Sequence, residues 1–342
     1  MWPVVGHDRV VSYIERGLKN GALSHAYFFT GPKHIGKMTL ALALAQAVNC
    51  SAQDKPCGEC SACLKIAARN HPDVQVIKPL TADESEDKKA KSEIIISQVR
   101  ELQRWASLPP YEGRCRVFIF EEAELLNEAA ANCLLKSLEE PLPGVLFILV
   151  APSPGAVPET IASRAHHLAF RPVPTSETEN LLMSRGQLPD KAALLARLSG
   201  GATGWAIAAA EHEDIMTRRT ERLELLLGLI GQGYDRRFEA AEELSGKETR
   251  GRGDTAELIH DWQILWRDLL LAGAGQAEAI VNLDYKDRIV DLSGRLGPAN
   301  IRTFVTALTK AGELVGHNVN PKLILETLML DMPLVDKARS KR

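Results

Sequence analysis

A chain of 342 residues has room for two or three domains of ordinary size. With 45% hydrophobic and 25% charged residues it has the profile expected of a soluble globular protein. A net charge of −3 argues against the overall basic field of an autonomous nucleic-acid binder, and no apolar run reaches the roughly 20 residues of a membrane span.

The N-terminus, Met1 to Gly6, has no basic stretch followed by an apolar one, so no signal peptide is expected and the expected location is cytoplasmic. The first half alternates short apolar runs with helical patterns, as a parallel α/β sheet does. Strands are predicted at Ala26–Thr30, Val74–Ile77, Arg116–Phe120, Leu146–Val150 and His167–Phe170. Helices are predicted at Asp8–Lys19, Met38–Val48, Ser97–Ala106 and Glu128–Glu139. Pro172 and Pro174 mark a linker, after which the strand signal disappears. Three short helices follow at Ser176–Arg185, Asp190–Leu198 and Thr203–Ala210, then longer ones from about residue 212. Trp262, Leu265, Trp266, Leu269 and Leu270 form an apolar stripe that reads as core or helix interface. Residues 246–254 read as a polar Gly-rich loop and Lys337–Arg342 as a solvated basic tail.

The segment Gly31-Pro32-Lys33-His34-Ile35-Gly36-Lys37-Met38-Thr39 follows a predicted strand and opens a helix. It has the P-loop spacing G-x4-G-K, in which glycines turn backbone N–H groups toward phosphates and Lys37 reaches the β- and γ-phosphates. The next position should carry the hydroxyl that holds Mg²⁺; here it is Met38, which cannot ligate a hard cation. Thr39 comes one residue late, about 100° further around the helix, and is expected to point elsewhere. A chance Gly-rich turn is the rival reading, but the preceding strand, the following helix and Lys37 argue against it. Val117–Phe120 running into Glu121 and Glu122 has the shape of a Walker B strand, with Glu in place of the first Asp. The extra methylene of Glu121 displaces the carboxylate and disturbs octahedral Mg²⁺ geometry.

Cys50, Cys57, Cys60 and Cys63 supply four thiolates within fourteen residues, as a tetrahedral Zn²⁺ site requires. A ferredoxin-type cluster would want a further Cys at position 67, followed by Pro; Ala67 and Ala68 stand there instead. A redox C-x2-C pair would account for only two of the four. A closed four-cysteine site has no open position, so its zinc should be structural. Cys115 and Cys133 read as small buried residues, and His166-His167 as ordinary surface.

In order, the chain shows the P-loop, the four cysteines, Asn70-His71-Pro72-Asp73, the Walker B strand, Ala129 to Pro141, and Thr160-Ile161-Ala162-Ser163-Arg164-Ala165. This order resembles the bacterial clamp-loader AAA+ subunits of DNA polymerase III, gamma/tau and delta-prime. Asn132–Pro141 is similar to the family's N-x-L-L-K-x-L-E-E-P helix, and Ser163-Arg164-Ala165 to its S-R-C motif, with Ala for Cys. The resemblance covers Gly6 to about Phe170; beyond that it is limited to helicity and to His317–Leu323, similar to a collar stretch.

The resemblance implies an α/β AAA+ fold: a P-loop, RecA-like parallel-sheet core with the zinc module (1–170), an all-α lid (171–211) and an all-α collar (212–342). It implies partners as well: delta and gamma/tau subunits in an open ring that loads the sliding clamp on primed DNA. Arg164, with Ser163 beside it, would project into a neighbour's ATP site as an arginine finger. Departures from the pattern point to a silent home centre. They are Met38, Glu121, Ala151 or Pro152 where gamma-like chains carry a sensor Thr, and Trp205 near the sensor Arg position. Nucleotide binding through Gly31, Gly36, Lys37, Met38, Thr39, Glu121 and Glu122 would then be weak or vestigial. A finger kept beside a lost centre is the delta-prime pattern, as is the length, since tau would continue past the collar. No polymerase or ATPase activity of its own is expected, the rival being a gamma/tau-type motor.

Overall fold

A computed structural model of the chain describes residues 2–80, 92–246, 252–316 and 319–334. Five strands, β1 (Ala26–Thr30), β2 (Val74–Ile77), β3 (Arg116–Phe120), β4 (Val145–Ala151) and β5 (His166–Ala169), pair in parallel in the order β2-β3-β4-β1-β5. The first strand lies between β4 and β5, so the chain leaves β1 across the sheet and returns to its other side. That reversal opens a crevice at the carboxyl ends of the strands, where ligands bind in open α/β sheets.

Side chains alternate across the strands. Ala26 and Phe28 face one core with Phe118, Phe120 and Phe147; Tyr27 and Phe29 face another with Ile119, Ile148 and Val150. The first face is covered by α4 (Ile96–Ala106), α5 (Glu128–Glu139) and the short α6 (Glu159–Ala162), the second by α1 (Asp8–Lys19), α2 (Lys37–Asn49) and α3 (Ser61–Ala67). Both faces of a parallel sheet must be buried, which is why these strands read as continuous apolar runs. Two glycines make the turn after β1. Gly31 has φ +147°, and a Cβ there would meet the Phe170 carbonyl at 2.5 Å; Gly36 has φ +104° and starts α2.

By contacts the chain divides into two compact units, one of Met1–Arg185 with Ser199–Ala206, the other of Gly186–Leu198 with Ile207–Arg342. The helices α7 (Thr175–Ser184), α8 (Pro189–Leu198) and α9 (Thr203–Glu211) correspond to the three short predicted ones. The longer helices are α10 (Glu213–Leu229), α11 (Tyr234–Gly246), α12 (Arg252–Gly273), α13 (Lys286–Leu296), α14 (Pro298–Gly316) and α15 (Pro321–Asp331). Their core is built on the stripe of α12: Trp262, Leu265, Trp266 and Leu269 are fully buried, and the Trp266 ring lies 4.4 Å from that of Phe304. Buried Asp268 accepts from the amides of Val281 and Asn282 and from the Asn282 side chain, tying down the segment before α13. Residues 247–251, His317, Asn318 and the basic tail lie outside the described residues. Arg252–Asp254, expected in the loop, are the first turn of α12.

Candidate nucleotide cleft, metal cluster and exposed arginine

The parallel register brings the strand ends to one edge: Ile77 opposite Phe120, Phe120 opposite Leu149, and Thr30 opposite Ala151. The residues that follow open a cleft of about 630 Å³. The P-loop contributes Lys33, His34, Gly36, Lys37, Met38 and Thr39; β2 contributes Lys78; β3 contributes Glu121, Glu122 and Glu124; β4 contributes Val150, Ala151 and Pro152. The expected P-loop and Walker B residues are thus together, and Thr39 lines the cleft although its position on the helix suggested otherwise. Gly31 lies at the back of the loop and Trp205 does not line the cleft, whereas its neighbour Gly204 does. The Gly204 amide donates to the His34 carbonyl at 2.8 Å, fastening the start of α9 to the P-loop.

Lys37 is buried, and its Nζ donates to the carbonyls of Gly31 and Pro32, the latter at 2.6 Å. Desolvation lowers its pKa to about 8, against the pull of Glu124, with Lys33 adding to the shift. Desolvation likewise pushes the Glu124 carboxyl up, and its Oε2 is shielded without a hydrogen-bond partner among the described residues. Glu121 is flanked by Lys78 at 3.4 Å and Arg69 at 3.7 Å. Lys33, Lys78, Glu124 and Arg69 were not singled out in the sequence. Lys78 and Arg69 come from the far side of the cysteine segment, and only the β2–β3 register places Lys78 beside Glu121. Glu124 lay in the acidic run but two residues past the pair a Walker B strand requires.

The four cysteines converge. Cys50 ends α2, Cys57 and Cys60 lie in the loop after it, and Cys63 is in α3; their sulfurs all lie within 4.8 Å of one another. Zn–S bonds of about 2.3 Å in a tetrahedron place the sulfurs about 3.8 Å apart. The Cys57–Cys63 and Cys50–Cys60 pairs are both at 3.9 Å, so the cluster fits such an ion. Backbone N–H groups of Cys63 and Ser51 hold the Cys60 thiol down to about 6, favouring the thiolate that ligation needs, while burial pushes Cys63 up to about 12. Gln46 on α2 donates to the Cys63 carbonyl at 2.9 Å and pins the module to the core. The helix α3 had no sequence signal of its own, because its seven residues are too few for a periodicity.

The Asn70–Asp73 motif proves to be a clamp. Asp73 is buried and accepts from the amides of Tyr111, Glu112 and Gly113 at 2.7, 2.9 and 2.8 Å, with Arg116 nearby at 3.7 Å. Burial pushes its pKa up, but the three amides and Arg116 outweigh that and hold it below the ordinary value. Asn49 completes the clamp, accepting from the amides of Arg114 and Cys115.

Arg164 follows α6 and does not line the cleft. Its Nη2 lies 2.5 Å from Glu139 Oε1, and its Nη1 donates to the Thr160 carbonyl at 2.9 Å and to Ser163 Oγ at 3.4 Å. Its side chain keeps 37% of its exposure.

A parallel sheet of this order, a P-loop after β1 and acids after β3, two strands away across the sheet, define an AAA+ core, here followed by helices. The chain belongs to the clamp-loader family of DNA polymerase III subunits, close to gamma/tau. A family model described as "DNA polymerase III, delta subunit" matches residues 6–174. The gamma/tau subunit of Mycobacterium tuberculosis is 29% identical over 95% of this chain and 59% of its own length. The delta' subunit of Bacillus subtilis is 26% identical over 94% of each. A gamma subunit-related protein of Thermotoga maritima superposes with a TM-score of 0.48 at 18% identity, covering 93% of this chain and 97% of that one. The chain spans about three fifths of the length of the gamma/tau relatives it matches. No described helix is long and apolar enough to cross a membrane.

Proposed function

We propose that this chain is a clamp-loader subunit of the delta-prime type, an assembly subunit that lends Arg164 to a neighbour's ATP site and hydrolyses none itself. The carrying observation is the cleft. It keeps Lys37 and Gly36, but presents Met38 where a Mg²⁺-binding hydroxyl belongs and Ala151-Pro152 at the end of β4. A thioether and a methyl cannot hold a hydrated divalent cation or orient a water. Arg164, outside the cleft and partly exposed, has the guanidinium fork that can neutralise charge developing on a γ-phosphate in trans.

On this reading the chain works in the cytoplasm within a hetero-oligomer containing delta and gamma/tau subunits, which loads the sliding clamp on primed DNA. Residues 171–211 act as its lid and residues 212–342 as its oligomerising collar. Cys50, Cys57, Cys60 and Cys63 hold a structural Zn²⁺.

Reconstitution tests the reading. The chain should co-assemble with delta and gamma subunits, and Arg164→Ala should preserve assembly while lowering clamp- and DNA-stimulated ATP hydrolysis by about tenfold or more. Unchanged hydrolysis in an assembled Arg164→Ala complex removes the finger role.

A further inference from the structure

The carboxylate at the end of β3 is already matched by cations of this chain. Because Ile77 lies opposite Phe120, the next residues, Lys78 and Glu121, leave the sheet side by side. Lys78 Nζ and Arg69 Nη1 stand 3.4 and 3.7 Å from Glu121 Oε2, an oxygen shielded from solvent that accepts no hydrogen bond among the described residues. Two positive charges therefore sit where a Walker B acid would otherwise face a metal. Mg²⁺ demands near-octahedral oxygens at about 2.0–2.1 Å and gives up water reluctantly. Met38 offers no oxygen, and a dication approaching Glu121 would be repelled by Lys78 and Arg69. The end of β3, with Glu121 so paired and Met38 across from it in the P-loop, does not fit Mg²⁺.

The cleft does fit phosphate. Lys33, Lys37 and Lys78 all line the cleft, which also receives the amino end of α2. The acids there are Glu121, Glu122 and Glu124, so with Arg69 four cations face three carboxylates. We propose that this cleft takes a nucleoside di- or triphosphate without a divalent cation, with Lys78 and Arg69 placed where the metal's charge would act. The proposal rests on the silent-centre reading and deepens it: nucleotide held this way is a fixed part of the fold and is not turned over.

The test is calorimetric titration of ATP and of ADP into the full chain, once with excess Mg²⁺ and once with EDTA, with ATP turnover measured in the same preparations. Dissociation constants should agree within about threefold between the two buffers. Lys78→Ala should weaken binding about three- to tenfold in both, at an unchanged melting temperature, as expected for one partly exposed charge. Binding lost in EDTA, binding absent from both buffers, or binding unaffected by Lys78→Ala overturns the proposal. Steady ATP turnover in Mg²⁺ is a separate failure: it overturns the silent centre itself, whichever way the binding falls.

Discussion

Arg164 is tethered to Glu139: the last residue of α5 holds the guanidinium that follows α6, at 2.5 Å. The fork uses one nitrogen for this carboxylate and the other for the Thr160 carbonyl. Both side chains are more than a third exposed, so the pair should contribute no more than about 1 kcal/mol to stability. Glu139→Gln and Arg164→Ala are therefore expected to shift the melting temperature by about 2 °C or less. Arg164→Lys should recover little of the hydrolysis lost in an assembled Arg164→Ala complex, because an ammonium cannot fill both contacts at once. Full recovery by lysine would mean that charge alone suffices.

Elemental analysis of freshly reduced protein should find one zinc per chain and no iron. Cys63, fully buried in α3, is a thiol whose loss should be costly. Cys63→Ala should lower the melting temperature more than Cys57→Ala, which removes a thiol at the rim. Structural zinc in small peptides contributes on the order of 10 kcal/mol, so a chelator should also destabilise this segment measurably. Metal-free protein with an unchanged melting curve would show that the four thiols merely cluster.

The isolated chain should turn over ATP far below the roughly 1–10 s⁻¹ of an ordinary enzyme. Met38→Thr restores one hydroxyl but leaves Ala151 and Pro152 in place, so it should not recover hydrolysis. Turnover in the wild type that Lys37→Ala abolishes would make this a motor of the gamma/tau type.

Asp73 should carry an acid-sensitive share of stability. Its folded-state pKa lies below the ordinary 3.8, so its contribution is complete above that value and is lost as pH falls through the lower one. Asp73→Ala leaves the amides of Tyr111, Glu112 and Gly113 without their acceptor and removes the charge beside Arg116, so it should cost about 1–3 kcal/mol at neutral pH. The difference in melting temperature between wild type and Asp73→Asn should shrink as pH is taken from about 7 to about 2. A constant difference across that range would mean that the carboxylate charge contributes nothing.

What could be read from the sequence divides by distance along the chain. The P-loop, the β3 acids and the four cysteines are local patterns, and each lies in one continuous segment. Strand and helix bounds came within a residue or two, since apolar runs and Pro or Gly stops are local as well; β4 runs one residue further at each end, from Val145 to Ala151, than its core pattern showed. The pairing of Glu121 with Lys78 and Arg69 was out of reach, because it depends on which strands are neighbours. So was the purpose of Asp73, whose partners lie about forty residues on. His25 bonds the Leu138 carbonyl, and His167, read as ordinary surface and indeed exposed, bonds the Thr30 hydroxyl, ordinary ties within the core unit.

Asn49 and Cys50 are consecutive residues with different obligations. Asn49 fixes the backbone entering β3, and Cys50, like Cys63, is a fully buried member of the cluster. One rigid helix end thus answers both to the four thiols and to the strand that carries Glu121, so the cluster is wired into the sheet and is no detachable ornament on its surface. Stripping the metal should therefore be felt by hydrogen exchange at the amides of Arg114 and Cys115, well before the rest of the sheet loosens.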